Sequence, residues 1–247
     1  VYKRQVVGII NAINLIDGVN GLSSGYCITA CTMFGTLFYL SGDMKMTILA
    51  AVSVGALIPF FLHNVFGKTS KMFIGDGGTL VMGVVITVFV IETLRSGSSC
   101  GAYVEPRVGL VPFSLAVLCI PVFDTLRVMF SRILRGVSPF RPDKTHLHHM
   151  FINLGCSHAA VTLAIVALNT SVVLCWWGLT RLGVSIDVQL YAVVVMGFLV
   201  TFGLYHFMEW HLRRNTSFLR AVRRLGYRTH VSRRGVFLRM QHFLDRL

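Results

Sequence analysis

An all-α, multi-pass membrane bundle is the fold this sequence predicts, on three observations. Of 247 residues, 54% are hydrophobic and only 13% are charged, against roughly 25% charged in an ordinary soluble domain. Apolar runs approaching the ~20 residues that cross a bilayer as a helix recur along the chain. Positive charge is shared unevenly between the segments that join those runs.

Taken in order, six spans are expected at about 26–42, 47–62, 78–94, 110–130, 159–180 and 188–208. The first two are short or carry polar residues, so a tilted or re-entrant course stays open for them. Ahead of them, VVGIINAIN reads as the end of another apolar span. The opening VYKRQ, without an initiator Met, reads as a scar of processing or assembly. The expectation is a fragment whose N-terminal part is missing, with a multi-pass membrane region over 1–208 and a basic tail over 209–247.

Six spans fix which connecting segments share a face. The opening loop, 63–77, 131–158 and the tail lie on one side and hold 18 of the 23 Lys and Arg, while the opposite segments hold four and Arg127 falls inside a span. By the positive-inside rule the first side is cytoplasmic. The net charge of +13 then answers to anionic lipid headgroups or to a solvated tail, and nucleic acid is not expected as a partner. Four of the six cysteines, Cys27, Cys31, Cys119 and Cys175, fall in expected spans with no Cys-x-x-Cys pair. They read as small buried hydrophobes, and Cys100 alone is expected on the outer side.

Unusual polar residues gather on the cytoplasmic side. NAINLIDGVNGLSSG, residues 11–25, offers Asn11, Asn14, Asp17 and Asn20 among glycines. It is read either as a turn needing positive φ or as a close backbone approach to a ligand, and the spacing of a calcium loop is absent. In the second loop, GKTS is not a P-loop, because Leu62 stands where that motif needs Gly. FIGDGG places Asp76 at the start of a helix, as a cap or as part of an anion-binding end, with Lys68 and Lys71 nearby.

The third loop crowds Arg141, Lys144, His146, His148 and His149 around Pro142 and Asp143. Three histidines could hold zinc, but Arg141 and Lys144 oppose a cation and suit a diphosphate, so an anion is favoured. Asp124 and Arg127, inside the fourth span, are read either as a functional intramembrane site or as a mutual pair at i, i+3. Together the loops suggest carboxylates for magnesium, basic groups for a diphosphate and a bilayer for a lipid partner. A non-catalytic transporter or lipid-binding protein is the alternative, and it would need polar groups lining a path to both faces.

Three stretches then carry a family resemblance. NAINLIDGVNG, KMFIGDGGTL and SPFRPDKTHLHH resemble, in order and spacing, the motifs of the polyprenyl-phosphate N-acetylhexosamine-1-phosphate transferases, glycosyltransferase family 4, of the WecA rather than the MraY type. The likeness spans roughly residues 8–180. It implies transfer of a sugar 1-phosphate, GlcNAc-1-phosphate foremost, from a UDP-N-acetylhexosamine to undecaprenyl or another polyprenyl phosphate. UMP is released, and the step begins cell-envelope polysaccharide synthesis. Magnesium is the implied cofactor, with manganese as a substitute. The implied setting is the cytoplasmic side of a bacterial inner membrane, and a homodimer is admitted.

By the same resemblance Asp17 and Asp76 are the catalytic carboxylates, Asp76 holds the metal and Phe73 stacks on uracil. Asn14, Asn20, Lys71, Arg141, Asp143, His146, His148 and His149 bind substrate. Two departures stand out. The family's upstream Asp-Asp pair occurs nowhere in this chain, so the fragment by itself is expected to be inactive. Asn20 stands where relatives usually place Asp, and an amide can hydrogen-bond but cannot act as a base.

Overall fold

The computed structural model describes residues 2–103, 108–141, 145–229 and 235–246, and among them every regular element is helical. The order is α1 (Tyr2–Leu15), α2 (Leu22–Leu40), α3 (Met44–Phe66), α4 (Gly75–Leu94), α5 (Ser99–Tyr103), α6 (Leu110–Val117), α7 (Cys119–Leu134), α8 (Leu147–Asn153), α9 (His158–Arg181), α10 (Ile186–Phe198), α11 (Leu204–Arg214), α12 (Ser217–Arg228) and α13 (Val236–Leu244). A single π-turn, Leu199–Gly203, joins α10 to α11. The all-α membrane class is borne out.

Each of the six expected spans is helical. Among the described residues four helices are long and apolar enough to cross a membrane, namely α3, α4, α9 and the continuous Ile186–Arg214, and the bent pair α6–α7 makes a fifth if counted as one span. Their outward sides are apolar, with Ile48, Val52, Leu163, Leu174, Tyr191 and Val195 exposed. Such a contiguous apolar surface belongs in lipid. The first expected span, α2, is shorter and richer in hydroxyls. Thr29, Thr32 and Thr36 donate back to the carbonyls of Gly25, Ile28 and Thr32. Nine of its 19 residues are buried, and it packs on α3, α4, α5 and α9. It is the central post of the bundle.

Small residues let helix backbones meet. A Cβ on Gly83 of α4 would lie 2.8 Å from Ile10 Cα of α1, and one on Gly35 of α2 would lie 2.8 Å from Ala50 Cβ of α3. Away from the loops, Phe34, Phe38, Phe89, Phe113 and Trp176 form a linked aromatic cluster, with ring centroids 5.1–6.4 Å apart. Edge-on and tilted packing of this kind adds to simple burial.

The fourth expected span, 110–130, is broken rather than straight. α6 and α7 meet at Leu118 with a bend of 71°. Pro121, in the first turn of α7, has no N–H to continue the ladder of α6. The polar groups freed at the break are satisfied from neighbouring helices, as an apolar surrounding requires. Asn169 of α9 accepts from Ile120 N–H at 2.9 Å and donates to Val117 O at 2.8 Å, while Tyr26 of α2 donates to the same carbonyl at 2.6 Å.

All six cysteines are free. Cys27, Cys31 and Cys119 are buried as expected; Cys100, for which burial was not expected, is buried too, 3.5 Å from Ser41 Oγ. Cys175 is exposed, correcting the expectation of burial. It sits on the outer side of α9 beside exposed Leu174, where lipid satisfies a small apolar side chain as well as protein does.

The basic C-terminal segment is docked on the same end of the bundle as the polar loops. Asn215 turns the chain through the left-handed region, at φ 44°, and Thr216 caps α12 by accepting from Leu219 N–H at 3.3 Å. Thr229 accepts from Ser157 N–H at 2.9 Å and its carbonyl accepts from Ser157 Oγ at 3.0 Å. α12 is thereby seated on the turn between α8 and α9. α13 lies against α3, with the rings of Phe237 and Phe66 4.8 Å apart.

Candidate active site

The three polar loops meet at one end of the bundle, and each junction can be traced to a side chain. The first loop, 16–21, leaves α1 just after Asn14. Asn14 is half-buried, and its Oδ1 accepts from Thr79 Oγ1 of α4 at 2.5 Å. Thr79 is one turn beyond Asp76, so this bond ties the loop bearing Asp17 to the helix end bearing Asp76. Asp17 accepts from Ser23 Oγ of α2 at 2.5 Å. Partial desolvation raises the pKa of Asp17 despite the serine bond, and the like charge of Asp76 raises it further. The two carboxylates therefore sense one another across the loops.

Asn64, near the end of α3, joins the first loop to the second. It is buried; its Oδ1 accepts from Gly21 N–H and its Nδ2 donates to Met72 O at 2.5 Å. Gly21 is in the left-handed region, φ 79°, and a Cβ there would collide with Val65. One amide thus fixes both loops at once. Beyond Met72 the second loop presents Phe73, 67% exposed, with Lys71 Nζ 5.0 Å from the centre of its ring. A large aromatic left open beside a cation is a ready surface for a planar, anionic ligand.

Asp76 is exposed in the first turn of α4. It is not the cap: Ile74 occupies that position, and no side chain caps the helix. The carboxylate stands at the positive end of the helix without a capping duty.

The third loop is anchored from inside the bundle. Asp124 and Arg127 of α7, 2% and 3% exposed, form the i, i+3 pair, with Arg127 Nη2 and Nε 2.7 and 3.1 Å from Asp124 Oδ1. The pair has a further task. Asp124 Oδ2 accepts from His146 Nδ1 at 2.9 Å, and both oxygens accept from Leu147 N–H at 3.2 and 3.3 Å. Arg127 donates to Thr145 O at 2.6 Å and lies over the Tyr205 ring at 3.8 Å. A buried ion pair in α7 thereby ties down the start of α8.

His146 is directed at Asp124 and buried. His148 stacks on it, ring centroids 5.6 Å apart and 6° from parallel, and His149 follows at 4.3 Å. The far nitrogen of His148 reaches the first loop: a Cβ added to Gly18 would lie 2.5 Å from His148 Nε2. That contact joins the third loop to the first. Gly18→Ala is expected to push His148 out of its stack, costing roughly 1–3 kcal/mol of stability. Thermal unfolding in detergent measures the loss.

Burial, then the neighbouring His149 and His146, lower the His148 pKa from 6.5 to about 3. His148 is thus neutral in the folded protein at neutral pH. Because the unfolded chain takes up this proton first, its stabilising effect is complete above pH 6.5 and is lost as the pH falls from there toward about 3. The slope approaches ~1.4 kcal/mol per pH unit. Melting temperatures recorded across that range should fall, and His148→Gln should flatten the profile.

The remaining candidates are placed as follows. Asn20 is held through its backbone, its N–H donating to His158 Nδ1 at 3.1 Å and its carbonyl accepting from Thr162 Oγ1 at 3.0 Å. Arg141 is exposed, its backbone N–H on Ser138 O at 3.1 Å. Asp143, with Pro142 and Lys144, lies outside the described residues. Sequence reasoning did not single out Asn64 and Thr79, which join the first loop to the second, or Ser23, which holds Asp17.

The pattern of glycosyl transferase family 4 matches residues 4–94, the stretch that carries Asn14, Asp17, Phe73 and Asp76. The chain is 26% identical over 220 residues to an undecaprenyl-phosphate alpha-N-acetylglucosaminyl 1-phosphate transferase of Escherichia coli strain K12, covering 87% of this chain and 56% of that protein. It is 31% identical over 160 residues to a probable undecaprenyl-phosphate N-acetylglucosaminyl 1-phosphate transferase of Bacillus subtilis, covering 65% and 42%. The Yersinia pestis relative, named as in E. coli, is 29% identical over 148 residues, covering 59% and 38%. The resemblance drawn from the three motifs is borne out. The chain spans about half the length of the curated relatives it matches, and no solved structure matches it.

Proposed function

We propose that the whole protein, whose residues 4–94 match the pattern of glycosyl transferase family 4, moves a sugar 1-phosphate, GlcNAc-1-phosphate, from a UDP-sugar to undecaprenyl phosphate and releases UMP. The observation that carries this reading is the set of contacts from Thr79 to Asn14, from Asn64 to Gly21 and Met72, and from His148 to Gly18, which hold the second and third loops against the first. It gathers two carboxylates, an open aromatic with a lysine and a histidine cluster at one end of a membrane bundle. The names of the relatives support the acceptor and the transferred group. The uneven distribution of Lys and Arg supports a cytoplasmic site in a bacterial inner membrane.

Two carboxylates that repel one another, both of them exposed, suit a hard divalent cation. Magnesium commonly takes one or two carboxylates and completes its shell with water and substrate phosphates. Asp76 would hold it, with Asp17 close by. When bound, magnesium or manganese would neutralise charge on the donor diphosphate and polarise its phosphorus.

The chain's own residues then do the positioning. Phe73 offers a face to uracil while Lys71, beside it, draws the diphosphate. The acceptor needs little activation, since a phosphate monoester has a second pKa near ~6 and is largely dianionic at neutral pH. Its oxygen attacks the β-phosphorus, the new P–O bond forms as the bond from β-phosphorus to the bridging oxygen breaks, and UMP departs with that electron pair. Asp17, with its raised pKa and its Ser23 bond, orients the acceptor or takes its last proton. Neutral His148 and its neighbours keep the third loop against the first.

The test is release of UMP from UDP-GlcNAc and undecaprenyl phosphate by the full-length protein. Release should stop on chelation and resume with magnesium. Full-length protein that forms no UMP with any UDP-N-acetylhexosamine would refute the reading.

A further inference from the structure

The second loop is held from a direction that the reaction does not explain. Asp245, the residue after α13, places one carboxylate oxygen within hydrogen-bond distance of three successive backbone N–H groups, of Lys68 at 3.0 Å, Thr69 at 3.1 Å and Ser70 at 3.1 Å. Ser70 Oγ donates to the same oxygen at 2.9 Å and accepts from His63 Nδ1 at 3.2 Å. Successive N–H groups turned inward in this way form an anion-binding concavity. The ring depends on Gly67, where a Cβ would lie 2.5 Å from His63 O and 3.3 Å from Lys71 Cα.

These bonds hold the carboxyl of Asp245 well below the usual carboxylate range, so it is anionic at every physiological pH. Phe237 seats α13 against Phe66 at the end of α3, and Leu244 is buried beside Asp245. The loop is therefore pinned at 68–70 by α13 and at Met72 by Asn64. The next residues are Phe73 and, past Gly75 at φ 63°, Asp76.

We propose that Asp245 is a positioning residue: α13 straps the second loop through the Lys68–Ser70 ring and so sets where Phe73 and Asp76 stand. This rests on the proposed function, because Phe73 and Asp76 matter as the donor-binding wall of that site. The C-terminal segment, which its charge alone would assign to lipid headgroups, thereby becomes a part of the site.

The experiment compares wild type, Asp245→Ala and Asp245→Asn in the full-length protein, by hydrogen exchange of the peptide covering 67–74 and by kinetics with UDP-GlcNAc. Loss of several charge-assisted bonds should speed exchange of that peptide by about tenfold or more in Asp245→Ala. The KM for UDP-GlcNAc should rise several-fold while kcat changes less. Asp245→Asn, whose amide oxygen still accepts N–H bonds, should recover part of both effects. Unchanged exchange overturns the strap whatever the kinetics show. Faster exchange with unchanged or improved kinetics overturns the positioning role. A wild-type protein that forms no UMP rejects the function reading instead, and the exchange result still decides whether the strap exists.

Discussion

Asp76→Asn in the full-length protein is expected to lower sugar 1-phosphate transfer about a thousandfold, equivalent to ~4 kcal/mol of transition-state stabilisation, while leaving the fold intact. The two halves of this expectation have separate grounds. Asp76 is exposed and caps nothing, so its charge is not needed to build α4. Its proximity to Asp17, felt in the raised pKa of that residue, is a repulsion the fold maintains and a cation would relieve. Removing the charge should therefore also raise the magnesium concentration needed for half-maximal rate. Rate against magnesium, with a melting curve as control, measures both. A variant that keeps wild-type turnover would remove Asp76 from the mechanism.

Asp124→Ala should act through the opposite route, by destabilising the protein about 3–5 kcal/mol. The substitution leaves the Arg127 guanidinium buried without its carboxylate and removes the acceptor of His146 and of Leu147 N–H. The start of α8 then loses its anchor. The double variant Asp124→Asn, Arg127→Met should recover part of the loss, because it no longer buries an unpaired charge. Unfolding in detergent, followed for the single and double variants, measures the effect. Equal stability of Asp124→Ala and wild type would show that the pair is dispensable.

The polar loops were legible from sequence because they contradict their surroundings. Asp17 among glycines, Asp76 between Gly75 and Gly77, and His146, His148 and His149 in a row are conspicuous beside apolar spans. The structure brings these three stretches together. The contacts that do so were not legible. Asn64 and Thr79 sit in helices where hydroxyls and amides commonly bond locally, and only the fold reveals that they bridge loops.

Asp124 and Arg127 show the limit of spacing arguments. Their i, i+3 separation predicts a pair, and the pair forms, but nothing in the spacing points to His146 or Leu147, 22 and 23 residues beyond Asp124. The bend at Leu118 was similarly hidden. Hydropathy reads 110–130 as one run, and the signal for a break was Pro121, whose meaning depends on Asn169 and Tyr26 being present to satisfy the freed backbone. Asp245 had no sequence signal at all, because its partners are backbone N–H groups of a loop 175 residues away.

The most direct test follows the β-phosphorus of the donor. Full-length protein is given UDP-GlcNAc labelled at that atom, with undecaprenyl phosphate and magnesium, and the products are partitioned between water and organic solvent. Attack at the β-phosphorus predicts that the label enters the lipid fraction while unlabelled UMP forms in equal amount. Label recovered in water as UDP would mean that the sugar moved without its phosphate, and would contradict the account.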